Sequence, residues 1–216
     1  MSDPRFEIAR ERMLRKHLRG RGICDPRTLA AMARVPRERF VPPELRDEAY
    51  ADRALPIACD QTISQPYIVA LMTQALELTG NERVLEIGAG SGYQAAVLAE
   101  LAAEVISVER HAPLAEQAGE LLAELGYGNV TVVVGDGTLG WPGRAPYDRI
   151  IVTAFAAACP PALWQQLVEG GILVMPLGGP EHQSLDALRK RGGQPVREGL
   201  SPCRFVPLIA APPAEE

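Results

Sequence analysis

With 216 residues, 47% hydrophobic and 23% charged, the chain has the balance of an ordinary globular protein: one compact domain with a full core and an N-terminal elaboration. No apolar run approaches the roughly 18 residues needed to span a bilayer, and the charged start MSDPRFEIARERMLRKH lacks the apolar stretch of a secretory signal, so a cytoplasmic protein without a membrane partner is expected. Cys24, Cys59, Cys159 and Cys203 are widely spaced and match no zinc-ligand pattern, which points to reduced thiols and no metal, while a net charge of −5 argues against a nucleic-acid partner.

In chain order, Phe6 to Arg19 is a predicted helix stopped by Gly20 and Gly22, and Asp25-Pro26 reads as a cap with proline in the first turn of a second helix. This leader is mildly basic and the remainder acidic. Pro36, Pro42, Pro43 and Pro56 then break the chain into irregular pieces, as in a covering segment. From Ile68, the spacing of Leu71, Met72, Ala75 and Leu76 predicts a helix closed by Gly80-Asn81.

Beyond it, strands are predicted at RVLEI (83–87), VISVE (105–109), VTVVV (130–134), RIIVT (149–153) and ILVM (172–175), with helices at about 93–102, 113–125 and 162–168. This alternation predicts an α/β, doubly wound, mostly parallel sheet, because parallel neighbours need crossover helices. LDALRKR and RFVPLI, separated by Gly192-Gly193 and Pro195, read as two more strands that close one edge antiparallel. Residues 1–66 form a helical cover, 67–209 a Rossmann-like core and 210–216 a disordered tail of one domain.

The segment VLEIGAGSGYQAAVLA (84–99) is a strand running through a glycine loop into a helix. Glycines at 88, 90 and 92 allow close backbone approach, but Tyr93 stands where a dinucleotide fingerprint needs glycine, which favours S-adenosylmethionine over a nicotinamide cofactor. Glu109, at the end of the next strand, can accept both ribose hydroxyls, and Asp136 in Gly135-Asp136-Gly137 can bond an adenine amino group. All three features lie at the carboxyl ends of consecutive strands, which line the ligand crevice of an open α/β sheet.

At these residues, and at QTISQP (61–66), GDGTLGWPGRAPYD (135–148) and RFVPL (204–208), the chain resembles the protein-L-isoaspartate (D-aspartate) O-methyltransferases over nearly its whole length. The resemblance implies a seven-stranded methyltransferase fold whose last two strands are arranged differently from most relatives. It implies a substrate, the free carboxylate of L-isoaspartyl and, more weakly, D-aspartyl residues in damaged proteins, whose methyl ester collapses to a succinimide. It also implies an active-site serine at Ser64, with Gln61, Thr62, Ile63, Ser64, Glu86, Gly88, Gly90, Glu109, Asp136 and Gly137 as cofactor contacts; separately, a monomer is expected.

A carboxylate substrate is ionised at neutral pH, so its methylation needs no general base, in keeping with a motif that contains none. Taken alone, Ser64 also reads as a helix cap ahead of Pro66. Two departures from the family stand out: Cys59-Asp60 where relatives carry glycine before QTIS, with Asp60 expected to face solvent or pair with an arginine, and Phe155 in place of a small residue. His111 reads as a solvated histidine and Cys203 as a small apolar residue. The alternatives to a repair enzyme are a relative that modifies aspartate in a dedicated peptide and a non-catalytic cofactor-binding protein.

Overall fold

The computed structural model describes residues 3–210, so the tail expected at 210–216 lies, from 211 onward, outside the described residues. The first helix, α1 (Pro4–Arg12), is capped by Asp3, whose carboxylate accepts the Arg5 N–H at 2.9 Å. It continues as wider π turns over Met13–Leu18 and ends in a 3₁₀ turn at Arg19–Arg21. Asp25 caps α2 (Pro26–Arg34) as expected, accepting from Thr28 N–H at 2.9 Å, and the proline-rich stretch forms 3₁₀ turns at Arg37–Arg39 and Pro43–Glu48. A short hairpin, β1 (Leu55–Pro56) with β2 (Thr62–Ile63), leads into α3 (Pro66–Ala75).

The core then runs β3 (Arg83–Ile87), α4 (Tyr93–Ala99), β4 (Glu104–Glu109), α5 (Ala112–Glu124), β5 (Val130–Val134), β6 (Tyr147–Val152), α6 (Pro161–Gln166), β7 (Leu167–Gly178), β8 (Gln183–Arg191) and β9 (Gln194–Cys203). Seven strands form one sheet in the order β5-β4-β3-β6-β7-β8-β9, parallel from β5 to β7 and antiparallel across β7–β8 and β8–β9. The direction of winding reverses between β3 and β6, so the loops leaving these strands diverge and open a crevice.

In register, Val84 lies beside Val105, and Leu85 beside Ile106 and Ile150. Successive residues of a strand face opposite sides. Val84, Val105, Ile151 and Val174 therefore join a core with α3, α4 and the leader residues Met13, Leu29 and Met32, while Leu85, Ile106, Ile150 and Leu173 join a second core with Leu163 of α6. The leader thus shares a core with the sheet. Arg34 and Arg39 add ion pairs to Glu100 at 2.5 Å and Glu124 at 2.8 Å.

The C-terminal edge corrects the expected pairing. The last strand is Gln194–Cys203, and RFVPLI is not a strand: only Pro207 makes a bridge, parallel to Phe155. Gly192 and Gly193 are both left-handed (φ 57° and 75°), which makes a two-residue hairpin turn between the paired residues Arg191 and Gln194. Pro195 is tolerated because β9 is an edge strand with no outer neighbour to receive its missing N–H. The exposed face of β9 hid it from hydrophobic periodicity.

The β1–β2 turn explains the first departure from the family. Gln61 N–H bonds to Ala58 C=O at 3.2 Å, and the two central residues, Cys59 and Asp60, have φ of 57° and 55°. Such a turn favours glycine, so an aspartate there carries backbone strain that a glycine would avoid. Asp60 is exposed, as expected, and its side chain is not in the cavity wall described below. Asp60→Gly is expected to raise stability by about 0.5 kcal/mol with the Michaelis constant for peptide unchanged. Denaturant titration and initial rates check it, and a sharply lower Michaelis constant would show that the Asp60 charge opposes substrate.

Candidate active site

A cavity of about 700 Å³ opens at the carboxyl ends of β3, β4 and β6, beneath the β1–β2 hairpin and the C-terminal segment. Its floor is the glycine loop. Gly88 adopts φ +94°, and a Cβ there would lie 2.3 Å from Thr153 Oγ1, so only glycine fits. The Thr153 hydroxyl lies 3.0 Å from the Ile87 carbonyl and 2.9 Å from that of Gly88, tying the loop after β3 to the end of β6.

Glu109, only 5% exposed, closes the second wall. One carboxylate oxygen accepts the Gly90 N–H at 2.9 Å and the other the His111 N–H at 3.0 Å. The carboxylate is thus held by two backbone donors with lone pairs to spare, the condition for gripping a pair of vicinal hydroxyls. His111, read from sequence as solvated, is half-buried at the N-cap of α5 and lines the cavity.

Gln61, Thr62, Ile63 and Ser64 form one side of the cavity. The N-cap of α3 is Gln65 and has no side-chain cap, so Ser64 does not fill the capping role its sequence position allowed. Among the described residues the Ser64 hydroxyl has no hydrogen-bond partner, and the residue faces the cavity. Pro66 supplies no N–H, which leaves Tyr67 and Ile68 as the first-turn donors of α3 without intrahelical acceptors.

Of the ten expected contacts, the structure brings Gln61, Thr62, Ile63, Ser64, Gly88, Gly90, Glu109 and Gly137 to this cavity. Asp136 stands one residue from the wall, where its carboxylate accepts from the N–H of Thr138 at 2.8 Å. Glu86 is not in the wall: it is fully buried in β3 and bonded to the Ser107 hydroxyl, its register neighbour on β4. Among the described residues the other Glu86 oxygen is buried without a partner.

Burial pushes the Glu86 carboxyl up to about 8, overcoming the Ser107 hydrogen bond, with the nearby Glu109 charge adding to the rise. Because the folded value lies above the ordinary 4.5, the stabilisation from Glu86 is complete below about 4.5 and lost as pH rises through about 8. Glu86→Gln, which keeps the neutral shape, is expected to raise the urea midpoint more at pH 8 than at pH 5. An equal change at both pH values would mean that the carboxyl is charged throughout.

Sequence reasoning missed Thr153, His111 and the segment 204–209, which runs along the cavity mouth. Phe155, the second departure, holds that segment by its backbone: its N–H donates to Val206 C=O and its C=O accepts from Leu208 N–H, both at 2.8 Å. The side chain of Phe155 is not in the wall, so its size does not narrow the cavity. Thr153 follows the rule that picked out Glu109, since it ends the strand beside β3 at the point where winding reverses. Ahead of β1, Asp52, Arg53 and Ala54 line the cavity among the described residues.

A parallel sheet with its glycine loop, Glu109 and cavity at one switch point, carrying two antiparallel strands on the far edge, defines an S-adenosylmethionine-dependent methyltransferase. The cavity fits the cofactor: Gly88 permits close approach and Glu109 is set to take its ribose. The chain belongs to the protein-L-isoaspartate(D-aspartate) O-methyltransferase family, whose profile matches residues 9–212.

The protein-L-isoaspartate O-methyltransferase of Synechococcus sp. (strain JA-2-3B'a(2-13)) is 55% identical over 215 residues, covering 96% of this chain and 88% of its own length. Protein-L-isoaspartate O-methyltransferase 2 of Pelobacter propionicus is 56% identical over 207 residues, covering 95% and 92%. A solved protein-L-isoaspartate O-methyltransferase superposes with a TM-score of 0.81 at 32% identity over 92% of this chain, which spans 65% of that structure's length. A Plasmodium falciparum structure determined with S-adenosyl-L-homocysteine shares the fold, with a TM-score of 0.79 at 23% identity. Neither a non-catalytic binding protein nor an enzyme for a dedicated peptide is favoured by these relatives. Among the described residues no helix is long and apolar enough to cross a membrane.

Proposed function

We propose that this chain repairs damaged proteins by methylating the free carboxylate of L-isoaspartyl residues, and more weakly of D-aspartyl residues, with Ser64 orienting the carboxylate. The observation that carries the reading is Ser64, a lining residue of the same cavity as the glycine loop, whose hydroxyl caps no helix and has no hydrogen-bond partner among the described residues. Bound on that loop, S-adenosylmethionine supplies an electrophilic methyl group on a sulfonium. The protein's own task is to place a charged oxygen in line with it and to exclude water.

The substrate arrives ionised, so no side chain needs to take a proton. Ser64 donates to one carboxylate oxygen, and the free N–H groups and dipole at the start of α3 attract the anion. Ile63, Val69, Met72 and Phe205 keep water from the nucleophile. With the cofactor bound, Glu109 would hold its ribose, Gly88, Gly90 and Gly137 would allow close approach, Asp136 would bond its adenine, and Gln61 to Ser64 would flank it. Glu86 acts from beneath, as a buried support for the strand that carries the loop.

The shared core of leader and sheet supports a single domain, with residues 1–66 as cover and 67–209 as catalytic core. An acidic protein of pI near 5.4 suits protein substrates better than nucleic acid, and we read it as a monomer working in the cytoplasm. The test is incubation with radiolabelled S-adenosylmethionine and matched peptides that contain isoaspartate or normal aspartate. Base-labile methyl ester on the isoaspartyl peptide alone is expected; equal labelling of both, or of neither, overturns the reading.

A further inference from the structure

Resting on that reading, we propose that Arg37 is a positioning residue for methyl transfer: it pins the peptide that follows Ser64 and thereby sets the direction of the Ser64 hydroxyl. Arg37 comes from the 3₁₀ turn of the cover and is fully buried. Its Nε donates to the Ala49 carbonyl at 2.6 Å and its Nη2 to the Ser64 carbonyl at 2.7 Å. The guanidinium lies over the ring of Tyr93, 4.6 Å from the centroid, and Tyr93 is the first residue of α4 after the glycine loop. One side chain therefore joins the cover, the Ser64 segment and the helix that carries the cofactor loop.

The arrangement is a poor way to gain stability alone. Its two backbone acceptors are neutral carbonyls, its other favourable neighbours are the neutral Tyr93 and Tyr50 rather than a carboxylate, and Nη1 is buried without a hydrogen-bond partner among the described residues. The adjacent carboxylate, Glu38, is engaged by Arg10 at 3.5 Å and by the Tyr50 hydroxyl instead of by Arg37. Burying a cation so sparsely paired costs more than an apolar side chain of the same size. What the guanidinium does supply is direction, because its planar fork fixes two carbonyls relative to each other.

At Ser64 that direction matters. A hydrogen bond on its carbonyl fixes the plane of the Ser64–Gln65 peptide, the Gln65 side chain donates to Asp52 C=O at 3.0 Å on the other side, and Pro66 follows with its constrained φ. The orientation of the hydroxyl, and of the first turn of α3, follows from these three constraints. A misplacement of about 1 Å at a reacting centre costs about 100-fold in rate.

The experiment uses the full chain, with wild type as the control for the functional reading. Failure of wild type to esterify the isoaspartyl peptide would remove that reading without reference to Arg37. Arg37→Lys keeps the charge but replaces the planar fork with a shorter point donor that does not fix two carbonyls relative to each other, and Arg37→Met removes both bonds. Gln74→Ala loosens the same cover elsewhere, by deleting the acceptor of the Cys24 and Asp25 N–H groups.

Assayed well below each melting temperature, Arg37→Lys is expected to lose roughly 30-fold or more in kcat while binding S-adenosylhomocysteine within about threefold of wild type; Gln74→Ala keeps its kcat. Adding Ser64→Ala to Arg37→Lys should cost less than Ser64→Ala does alone in wild type, because the two act through one group. The proposal is overturned if Arg37→Lys turns over like wild type, if Gln74→Ala slows as much at equal loss of melting temperature, or if the two losses simply add. Should Arg37→Met fail to fold, Arg37→Lys and the double variant decide the matter.

Discussion

Ser64→Ala is expected to lower kcat/KM for an isoaspartyl peptide roughly 30- to 150-fold, the about 2–3 kcal/mol carried by a hydrogen bond to a charged group in a water-poor site. The melting temperature should barely move. A serine that caps a helix loses about 1 kcal/mol on truncation, but α3 has no side-chain cap and the Ser64 hydroxyl has no partner among the described residues to lose. Affinity for S-adenosylhomocysteine should fall far less than turnover, since Ser64 is only one of several residues expected at the cofactor's edge. Steady-state rates, a thermal melt and calorimetry with the product check the three parts. Full turnover with a lowered melting temperature would reverse the assignment and return Ser64 to a structural role.

Glu109→Ala is expected to weaken cofactor binding by roughly 100- to 1000-fold, because two charge-assisted hydrogen bonds to ribose hydroxyls are worth about 3–4 kcal/mol together. Part of the loss comes from the protein itself, since the Gly90 and His111 N–H groups also lose their acceptor. Glu109→Gln separates the contributions. The amide keeps one acceptor but turns a donor toward a backbone N–H, so it should bind worse than wild type and better than alanine. Calorimetric titration with S-adenosylhomocysteine is the measurement, and a dissociation constant within about threefold of wild type for alanine would mean that Glu109 only ties the two loops together.

Much of the core was legible because its elements carry strong periodic signals. RVLEI and VISVE became β3 and β4 within a residue of the expected bounds, since strands buried in a parallel sheet are short, continuous apolar runs, and VTVVV became the edge strand β5 through its run of β-branched residues. The helix expected at 162–168 ended at Gln166, and β7 began at once at Leu167, because pairing of Leu167 with Tyr147 overrode local helix propensity. At the opposite edge the signal was reversed. RFVPLI is apolar and looked like a strand, whereas QPVREGLSPC is polar, contains two prolines, and is one. An edge strand in solvent has no buried face to impose alternation on its sequence.

The site divides in the same way. The glycine loop, Glu109 and QTIS each sit in a local pattern that names the backbone geometry they require, and all of them reach the cavity. Glu86 shares the same motif and does not, because alternation along β3 turns its side chain into the sheet toward Ser107. Arg37 looked like one more arginine of a basic leader, and nothing in its neighbourhood distinguishes it from Arg39, which lies on the surface paired with Glu124.

By itself, the sequence determined the parallel α/β core, a glycine loop and Glu109 at neighbouring strand ends, and the family. Those follow from short-range spacing, which a strand or turn expresses within a few residues. Only the tertiary structure decided that the Ser64 hydroxyl is left uncapped, that Thr153 locks the glycine loop, that 204–209 forms the mouth and that Arg37 reaches Ser64 from 27 residues away. These depend on which chain segments meet across the sheet, and burial and hydrogen-bond satisfaction are settled only when they do.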